Sequence, residues 1–197
     1  MVRGIHDMTY SRFSQVLEEA LRLLVKRCPR LVRMCYWAGT SCISMEELQH
    51  RQSFDLGFHT RKALTDVRPI LAAIQKAFPG KLTVVQAPDE FGSGFRGLFK
   101  LPGRRAITLE VLSNFEDVAE SELVPSSMVN GLRRVSLARY LADKIQCGAE
   151  RSEARFASAI ERDLAWLGLE CDTRVRQSER MDDYRTRLER LKESGRA

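Results

Sequence analysis

The sequence predicts an α/β (α+β) fold, with one mixed sheet flanked by helices and a helical C-terminal part. Three observations support this class: helical apolar spacing near the N-terminus, several short segments in which apolar and polar residues alternate, and helical segments after residue 130. With 197 residues, the chain can bury one core and carry a small appendage. We therefore expect an α/β core over 1–130, a helical part packed on that core over 131–170, and a charged helix or tail over 171–197.

The elements of the predicted core follow in order. Apolar residues three and four apart predict a helix over 8–26, and a short helix over 40–48 precedes a strand over 53–59. In that strand we expect Phe54, Leu56 and Phe58 to point into the core. A helix over 63–78 ends at a Pro-Gly pair, a strand follows over 81–86, and 95–101 forms a hairpin with 106–112.

The C-terminal third is more charged. Residues 114–130 are acidic and lack a regular pattern, and helices are expected at about 136–148 and 152–167. A narrow apolar stripe at helical spacing runs through 174–192 and consists of Val175, Met181, Tyr184, Leu188 and Leu191. Such a helix could pack against its own domain or against a partner chain.

Composition narrows the function classes. No segment approaches the roughly 20 apolar residues that span a bilayer, and the N-terminus lacks the apolar region of a signal peptide, so we expect a cytoplasmic protein without membrane contact. The formal net charge is +6, which permits contact with RNA or a triphosphate but also fits a charged solvated surface. The oligomeric state is not predicted.

Cysteine usage argues against a zinc ribbon or a disulfide framework. The five cysteines form no C-x-x-C pair and are odd in number, which favours a reducing compartment. We interpret them as small core side chains.

The alternating segment 53–59 carries the main chemical signal. Ser53, Asp55, Gly57 and His59 share one face of the predicted strand. Phosphoryl transfer with two metal ions requires carboxylates two residues apart on such a strand, because both must reach the same ions. Asp55 supplies one carboxylate, and the position of the other is occupied by Gly57.

The preceding segment fits a phosphate site. Gly39, Thr40 and Ser41 open the short helix, and a glycine at a helix N-terminus lets backbone N–H groups approach a phosphate closely.

Together these residues resemble the pattern Gly-Gly-Thr-Ala-Leu … His-Arg-x-Ser-x-Asp-x-Asp of the AbiEii/AbiGii toxin family, a branch of the nucleotidyltransferase superfamily. Two positions depart from it: Ala38 replaces the first Gly, and Gly57 replaces the second Asp. The resemblance spans roughly 30–170 and is looser in its second half. The matching residues are Gly39, Thr40, His50, Arg51, Ser53 and Asp55.

The resemblance implies a nucleotidyltransferase-like sheet and a site that uses Mg²⁺ and an NTP. A third acid is expected on a later strand, where Glu110 in the alternating run 105–112 is the candidate. Asp55 and Glu110 would then hold metal, and Lys144, on a helix similar to one of the family, would neutralise charge in the transition state. The implied nucleotide-binding residues are Gly39, Thr40, Ser41, Arg51 and Ser53.

Three functions remain open because the second acid is missing. The favoured hypothesis is a nucleotidyltransferase-fold protein with weak or lost catalysis and retained nucleotide or RNA binding. The second is an active Mg-dependent toxin that modifies RNA or protein and has a cognate antitoxin. The third is a non-catalytic interaction partner. A carboxylate from elsewhere could also fill the space beside Gly57, and the candidates are Asp66, Asp89, Glu90 and Asp143.

Overall fold

The computed structural model describes residues 4–48, 53–141 and 143. The chain divides into two compact units, Met1–Val135 and Ser136–Ala197. The predicted helices beyond residue 143 and the charged segment 174–192 lie outside the described residues. In the second unit, the described backbone is helical at 137–141, and Tyr140 N donates to Ser136 O.

In the first unit, helices and strands are interspersed up to α4 (Arg68–Ala77), and only strands and a short turn of helix follow. Two single turns interrupt this order, a π-helical turn at Ser44–Leu48 and a 3-10 turn at Glu120–Glu122. In the described residues no helix is both long enough and apolar enough to cross a membrane. The helices and strands are α1 (Gly4–Arg27), α2 (Pro29–Met34), β1 (Cys35–Ala38), α3 (Gly39–Ile43), β2 (Asp55–Ala63), α4 (Arg68–Ala77), β3 (Leu82–Gln86), β4 (Gly94–Phe99), β5 (Ile107–Asn114), β6 (Leu123–Pro125) and β7 (Arg133–Val135).

The seven strands of the described residues form one mixed sheet in the order β3-β4-β5-β2-β1-β7-β6. The pairs β2/β5 and β1/β7 are parallel, and the other four neighbouring pairs are antiparallel. The predicted mixed sheet with flanking helices is therefore confirmed.

The core explains why these segments form their elements. Leu17, Leu21 and Leu24 of α1 are fully buried at three- and four-residue spacing, and Ile70 and Ile74 of α4 repeat the pattern. On β4 and over Ile107–Val111 of β5 every second side chain is buried, which fixes the register of these two strands. The intervening positions form what we call the polar face: Asp55, Gly57, Arg96 and Glu110 on strands β2, β4 and β5.

Several predicted elements are confirmed. These are the N-terminal helix, the strand at 82–86 and the β4/β5 hairpin, whose turn places Gly103 at φ +66° in the left-handed region that favours glycine. Cys28, Cys35 and Cys42 are free and buried, and burial raises the pKa of the Cys35 thiol to about 12, so these three are core side chains as predicted.

Other expectations were wrong. Phe54 is 52% exposed, because β2 begins only at Asp55 and the alternation of the strand does not yet apply to its predecessor. The helix predicted over 63–78 begins at Arg68, since β2 continues to Ala63 and a proline sits in the first helical turn. Strands β6 and β7 were missed, and β7 carries the sheet past residue 130.

Candidate functional site

The polar face brings three strands together at the position of the missing acid. Parallel pairing of β2 with β5 sets Gly57 beside Glu110, and antiparallel pairing of β5 with β4 sets Glu110 beside Arg96. Asp55 lies two residues before Gly57 and therefore on the same face. The sheet thus holds the two predicted metal carboxylates on neighbouring strands, on either side of a glycine.

Asp55 is oriented by a neighbour on its own chain segment. The Ser53 hydroxyl donates a hydrogen bond of 2.8 Å to Asp55 Oδ1, and Ser53 is only 4% exposed. This bond orients the carboxylate of Asp55, which is the first residue of β2. Two of the predicted site residues are thereby brought into direct contact.

Glu110 is already bonded to a cation. Arg96 donates from Nη2 and Nε to Glu110 Oε1, at 2.5 Å and 3.1 Å. The Arg96 side chain is 52% exposed and that of Glu110 is 25% exposed. A metal ion at Glu110 would meet the positive charge of this guanidinium and would find Oε1 already bonded.

Arg96 was not predicted as a site residue, although the sequence held a signal for it. The hairpin between 95–101 and 106–112 was recognised, and its turn determines which residues face each other. Pairing the ends of the two predicted segments, Leu101 with Ala106, sets Arg96 opposite Val111, one residue from its observed partner Glu110, so the hairpin signal locates Arg96 only approximately.

The glycine of the predicted phosphate loop has a conformational role. Gly39 adopts φ +74°, between the extended Ala38 and helix α3, and this left-handed conformation favours glycine. Ala38 pairs with Gly57 across β1 and β2, so the loop begins next to the missing acid. A Cβ built on Gly57 would lie 3.4 Å from Ala38 O, which is an ordinary contact, so packing does not require glycine there.

Two hydroxyls of this loop are turned inward. Ser41 is fully buried, and its Oγ accepts a hydrogen bond of 3.1 Å from Trp37 Nε1. Thr40 is 5% exposed. The Ser41 hydroxyl is therefore bonded within the core, and its predicted contact with phosphate stays a prediction.

Within the described residues, no group of three or more His, Cys, Asp or Glu side chains is arranged to hold a metal ion. Asp66 bonds Arg68, and Asp89 bonds Ser93, in turns at the far end of β2 from Asp55. Neither side chain fills the space beside Gly57, and Glu90 belongs to the same distant turn.

Asp143, the fourth candidate for that space, lies in the second unit, where it accepts a bond of 2.7 Å from Arg139. His59 packs edge-on against the Tyr36 ring, with the ring centroids 5.9 Å apart. His50, Arg51 and Lys144 lie outside the described residues, so their predicted roles stay predictions.

A second Arg–Glu contact stabilises the π-helical turn that follows α3. Arg134 of β7 donates from Nε to Glu46 at 2.6 Å and contacts Glu47 through Nη2 at 2.7 Å. Glu46 also accepts bonds from the Ser126 hydroxyl and from Ser127 N, the latter at 3.1 Å. We call these contacts the buried network, because the Glu46 side chain has no solvent exposure.

The pKa of Glu46 reflects two opposing effects. Burial alone would raise the pKa of its carboxyl, but hydrogen bonds from Ser126, Ser127 and Arg134 outweigh burial and hold the pKa below its ordinary value. Glu46 is therefore ionised at neutral pH, as its contact with Arg134 requires.

Similarity to known proteins covers a short segment of the chain at the level of sequence and most of the chain at the level of fold. No protein-family model matches it. Over 58 residues, 29% of this chain, it is 48% identical to glutamate–tRNA ligase 2 of Erythrobacter litoralis, of which this is 13%. Over 47 residues it is 55% identical to glutamate–tRNA ligase 1 of a Chelativorans species, of which this is 10%. The chain thus spans about a tenth of the curated relatives it matches.

Solved structures resemble nearly the whole chain. An antigenic nucleotidyltransferase-like protein from Paracoccidioides brasiliensis superposes with a TM-score of 0.56 and 12% identity, covering 90% of this chain and 88% of that one. JHP933 from Helicobacter pylori superposes with a TM-score of 0.54 and 20% identity, covering 89% and 72%. At these identities the likeness concerns the fold alone. With its seven-stranded mixed sheet and flanking helices, the chain has a nucleotidyltransferase fold.

Proposed function

We propose that this nucleotidyltransferase-fold protein binds a nucleotide or RNA through phosphate groups at the polar face, with weak or lost catalysis. The observation that carries the proposal is the 2.5 Å contact between Arg96 and Glu110 beside Gly57. One predicted metal carboxylate is thus held by a cation, and the position of another is a glycine.

We infer weak catalysis from the small number of carboxylates that could bind metal ions on the polar face. Two-metal displacement depends on carboxylates that bridge and fix both ions. In the described part of the polar face, Asp55 and Glu110 are the available acids, and a metal ion at Glu110 would lie beside the positive charge of Arg96. These residues therefore do not fit a two-metal site.

Phosphate binding follows from the cations and the backbone. A guanidinium forms paired hydrogen bonds with phosphate oxygens, and Arg96 is half exposed on the polar face. The Gly39 turn begins beside Gly57 and gives backbone N–H groups close to the same place. The net charge of +6 attracts polyanions to the chain as a whole.

The alternative is an active Mg-dependent toxin of the AbiEii/AbiGii type with a cognate antitoxin. It is favoured by the Ser53–Asp55 bond, which prepares one carboxylate at the start of β2. A single Mg²⁺ held by Asp55 would take its remaining oxygens from the substrate phosphates.

For the RNA ligand, tRNA is the class to test first. Glutamate–tRNA ligases, by their name, act on tRNA, and the chain shares a segment of 58 residues with one of them. That segment is 13% of the ligase, so aminoacylation is not part of the proposal.

The experiment is a thermal-shift titration of the full chain with NTPs and with tRNA, in EDTA and in Mg²⁺. Ligand at about 100 times its Kd should stabilise the native protein by about 2.7 kcal/mol. We expect the shift to persist in EDTA and to disappear in Arg96→Met. The matched control is Arg104→Met, since Arg104 is 53% exposed and bonds one acid, Glu19, away from the polar face.

Two outcomes overturn the proposal. If neither a nucleotide nor tRNA shifts the midpoint of thermal unfolding, the chain is a non-catalytic interaction partner. If labelled NTP is transferred to RNA or protein only with Mg²⁺ or Mn²⁺, and Asp55→Ala abolishes the transfer, the active toxin is the correct reading.

The missing acid itself can be restored. We choose Gly57→Asp, because a Cβ at position 57 makes only an ordinary contact with Ala38 O. We expect the double variant Gly57→Asp/Arg96→Met to bind Mn²⁺ by isothermal titration calorimetry at least tenfold more tightly than the parent chain. If the parent chain binds Mn²⁺ equally well, weak catalysis cannot be explained by a lack of metal-binding carboxylates.

A further inference from the structure

Three large apolar side chains are exposed together at the end of the sheet farthest from Asp55. Leu64 follows the last residue of β2, Phe115 follows the last residue of β5, and Phe91 precedes β4. Because β2 and β5 are parallel, their carboxyl ends meet at the same edge. The exposed fractions of the three side chains are 77%, 91% and 76%.

These side chains line a cleft of about 230 Å³, together with Ser93, Ser113 and Asn114. Ligand pockets usually measure about 300–1,000 Å³, so this cleft has the size for a side chain rather than a cofactor. Among the described residues, no group bonds the buried Ser113 hydroxyl. The cleft therefore combines three large apolar side chains with three polar ones.

The exposure of Leu64 is imposed by the backbone. Leu64 adopts φ +48°, a left-handed conformation that non-glycine residues rarely adopt, and its N–H donates to Asn114 O at 2.8 Å. A further bond of 3.0 Å, from Val67 N to Gly92 O, ties the turn after β2 to the turn before β4. The cleft is thus formed by turns that are bonded to one another.

The turns around the cleft are acidic, although the chain as a whole is basic. Five acids against two bases leave three negative charges there, on a chain of net charge +6. Both bases are already bonded to acids, Lys62 to Asp117 at 2.6 Å and Arg68 to Asp66 at 2.9 Å. We call this set the acidic rim: Lys62, Asp66, Arg68, Asp89, Glu90, Glu116 and Asp117.

The rim stays charged at neutral pH. Hydrogen bonds from Arg68, Ser93 and Lys62 lower the pKa of Asp66, Asp89 and Asp117, respectively. An anionic rim repels nucleic acid and attracts cations. This surface therefore differs in charge and in position from the phosphate site proposed on the polar face.

We propose that the cleft docks a cationic polypeptide segment of a partner protein. One aromatic or aliphatic side chain of that segment enters between Leu64, Phe91 and Phe115, and flanking Lys or Arg residues face the acidic rim. Apolar anchors in small pockets dominate the affinity of such contacts, and complementary charge supplies specificity.

The test selects peptides of random sequence against the full chain and measures the affinity of the enriched peptides by fluorescence anisotropy. We expect them to carry Lys or Arg next to an apolar residue. The double variant Phe91→Ser/Phe115→Ser should weaken their binding at least tenfold. Val85→Ser is the matched control, because Val85 is 64% exposed on β3 outside the cleft and should leave the affinity unchanged.

Charge is tested separately with Glu90→Gln/Glu116→Gln, which should weaken binding severalfold at low salt and less at high salt. The proposal is overturned if no such peptide is enriched, if neutral or acidic peptides bind better, or if the control weakens binding as much as the double variant. It is also overturned if sedimentation shows a dimer that Phe91→Ser/Phe115→Ser dissociates, since the cleft then binds a second copy.

Discussion

Two arginine–glutamate contacts of the first unit consist of the same groups at nearly the same distance but lie in opposite surroundings. In the buried network, Arg134 Nε is 2.6 Å from Glu46, and the two side chains are 10% and 0% exposed. On the polar face, Arg96 Nη2 is 2.5 Å from Glu110, and the side chains are 52% and 25% exposed. Distance therefore does not distinguish them, whereas burial does.

Burial determines what each contact can do. Removing one partner of a buried pair leaves a charge that water cannot reach, so the buried network acts as a structural clamp between β7 and the turn after α3. An exposed pair gains little stability, because water and salt screen both charges. In an exposed pair, the arginine can exchange its carboxylate for a phosphate, and the glutamate can exchange its guanidinium for a metal ion, at a low cost in free energy. This favours the Arg96–Glu110 pair as the functional one.

The largest expected effect is that of Arg134→Met. The variant keeps most of the side-chain volume and removes the donors to Glu46 and Glu47, so we expect a loss of about 3–5 kcal/mol in the free energy of unfolding. Chemical denaturation followed by circular dichroism measures it. A loss below about 1 kcal/mol would show that the buried network stabilises the fold no more than a surface pair does. The buried network and the Arg96–Glu110 pair would then not differ in their contribution to stability.

The two contacts also differ in how far the sequence could predict them. Asp55 and Gly57 were placed correctly on one strand face, because alternation is a local property, whereas Ser53 precedes the strand. Glu110 was assigned to the site by resemblance, and its place beside Gly57 depends on a parallel pairing between distant strands. Such pairing leaves no periodic signal in either segment.

The buried network lay beyond the reach of local patterns altogether. Glu46 and Arg134 are 88 residues apart, and Arg134 lies on a strand of three residues, which is too short for alternation to show. Phe54 shows the converse error. The alternating pattern was extended to this residue, which precedes β2, and it predicted burial for a side chain that is exposed. Patterns predicted the elements, and long-range pairing decided their partners.

A smaller effect is expected for Glu46→Gln, and it should depend on pH. The folded-state pKa of Glu46 lies below its ordinary value of 4.5, so its charge stabilises the fold fully above that value, and this contribution is lost as the pH falls through the folded-state pKa. We expect Glu46→Gln to cost about 2 kcal/mol at pH 7, because bonds to a charged group are lost.

Unfolding curves of the parent chain and Glu46→Gln, measured from pH 7 down to pH 3, check the sign. The difference between them should shrink below about pH 4.5, where the Glu46 carboxyl of the unfolded parent chain takes up a proton while that of the folded chain is still ionised. A difference that stays constant over this range would mean that packing around residue 46, not its charge, accounts for the loss.

The smallest effect on stability is expected for Arg96→Met, and this small value is what makes the pair a candidate for function. Exposed pairs contribute about 0.2–1 kcal/mol, and at 52% exposure the Arg96 guanidinium belongs to that class. Denaturation in low and high salt, with Arg104→Met in parallel, measures it. A loss comparable to that of Arg134→Met would mean that Arg96 is a structural clamp as well. A loss within about 1 kcal/mol, combined with loss of the nucleotide-induced thermal shift, would separate binding from folding at this position, because the variant would then be folded and unable to hold phosphate.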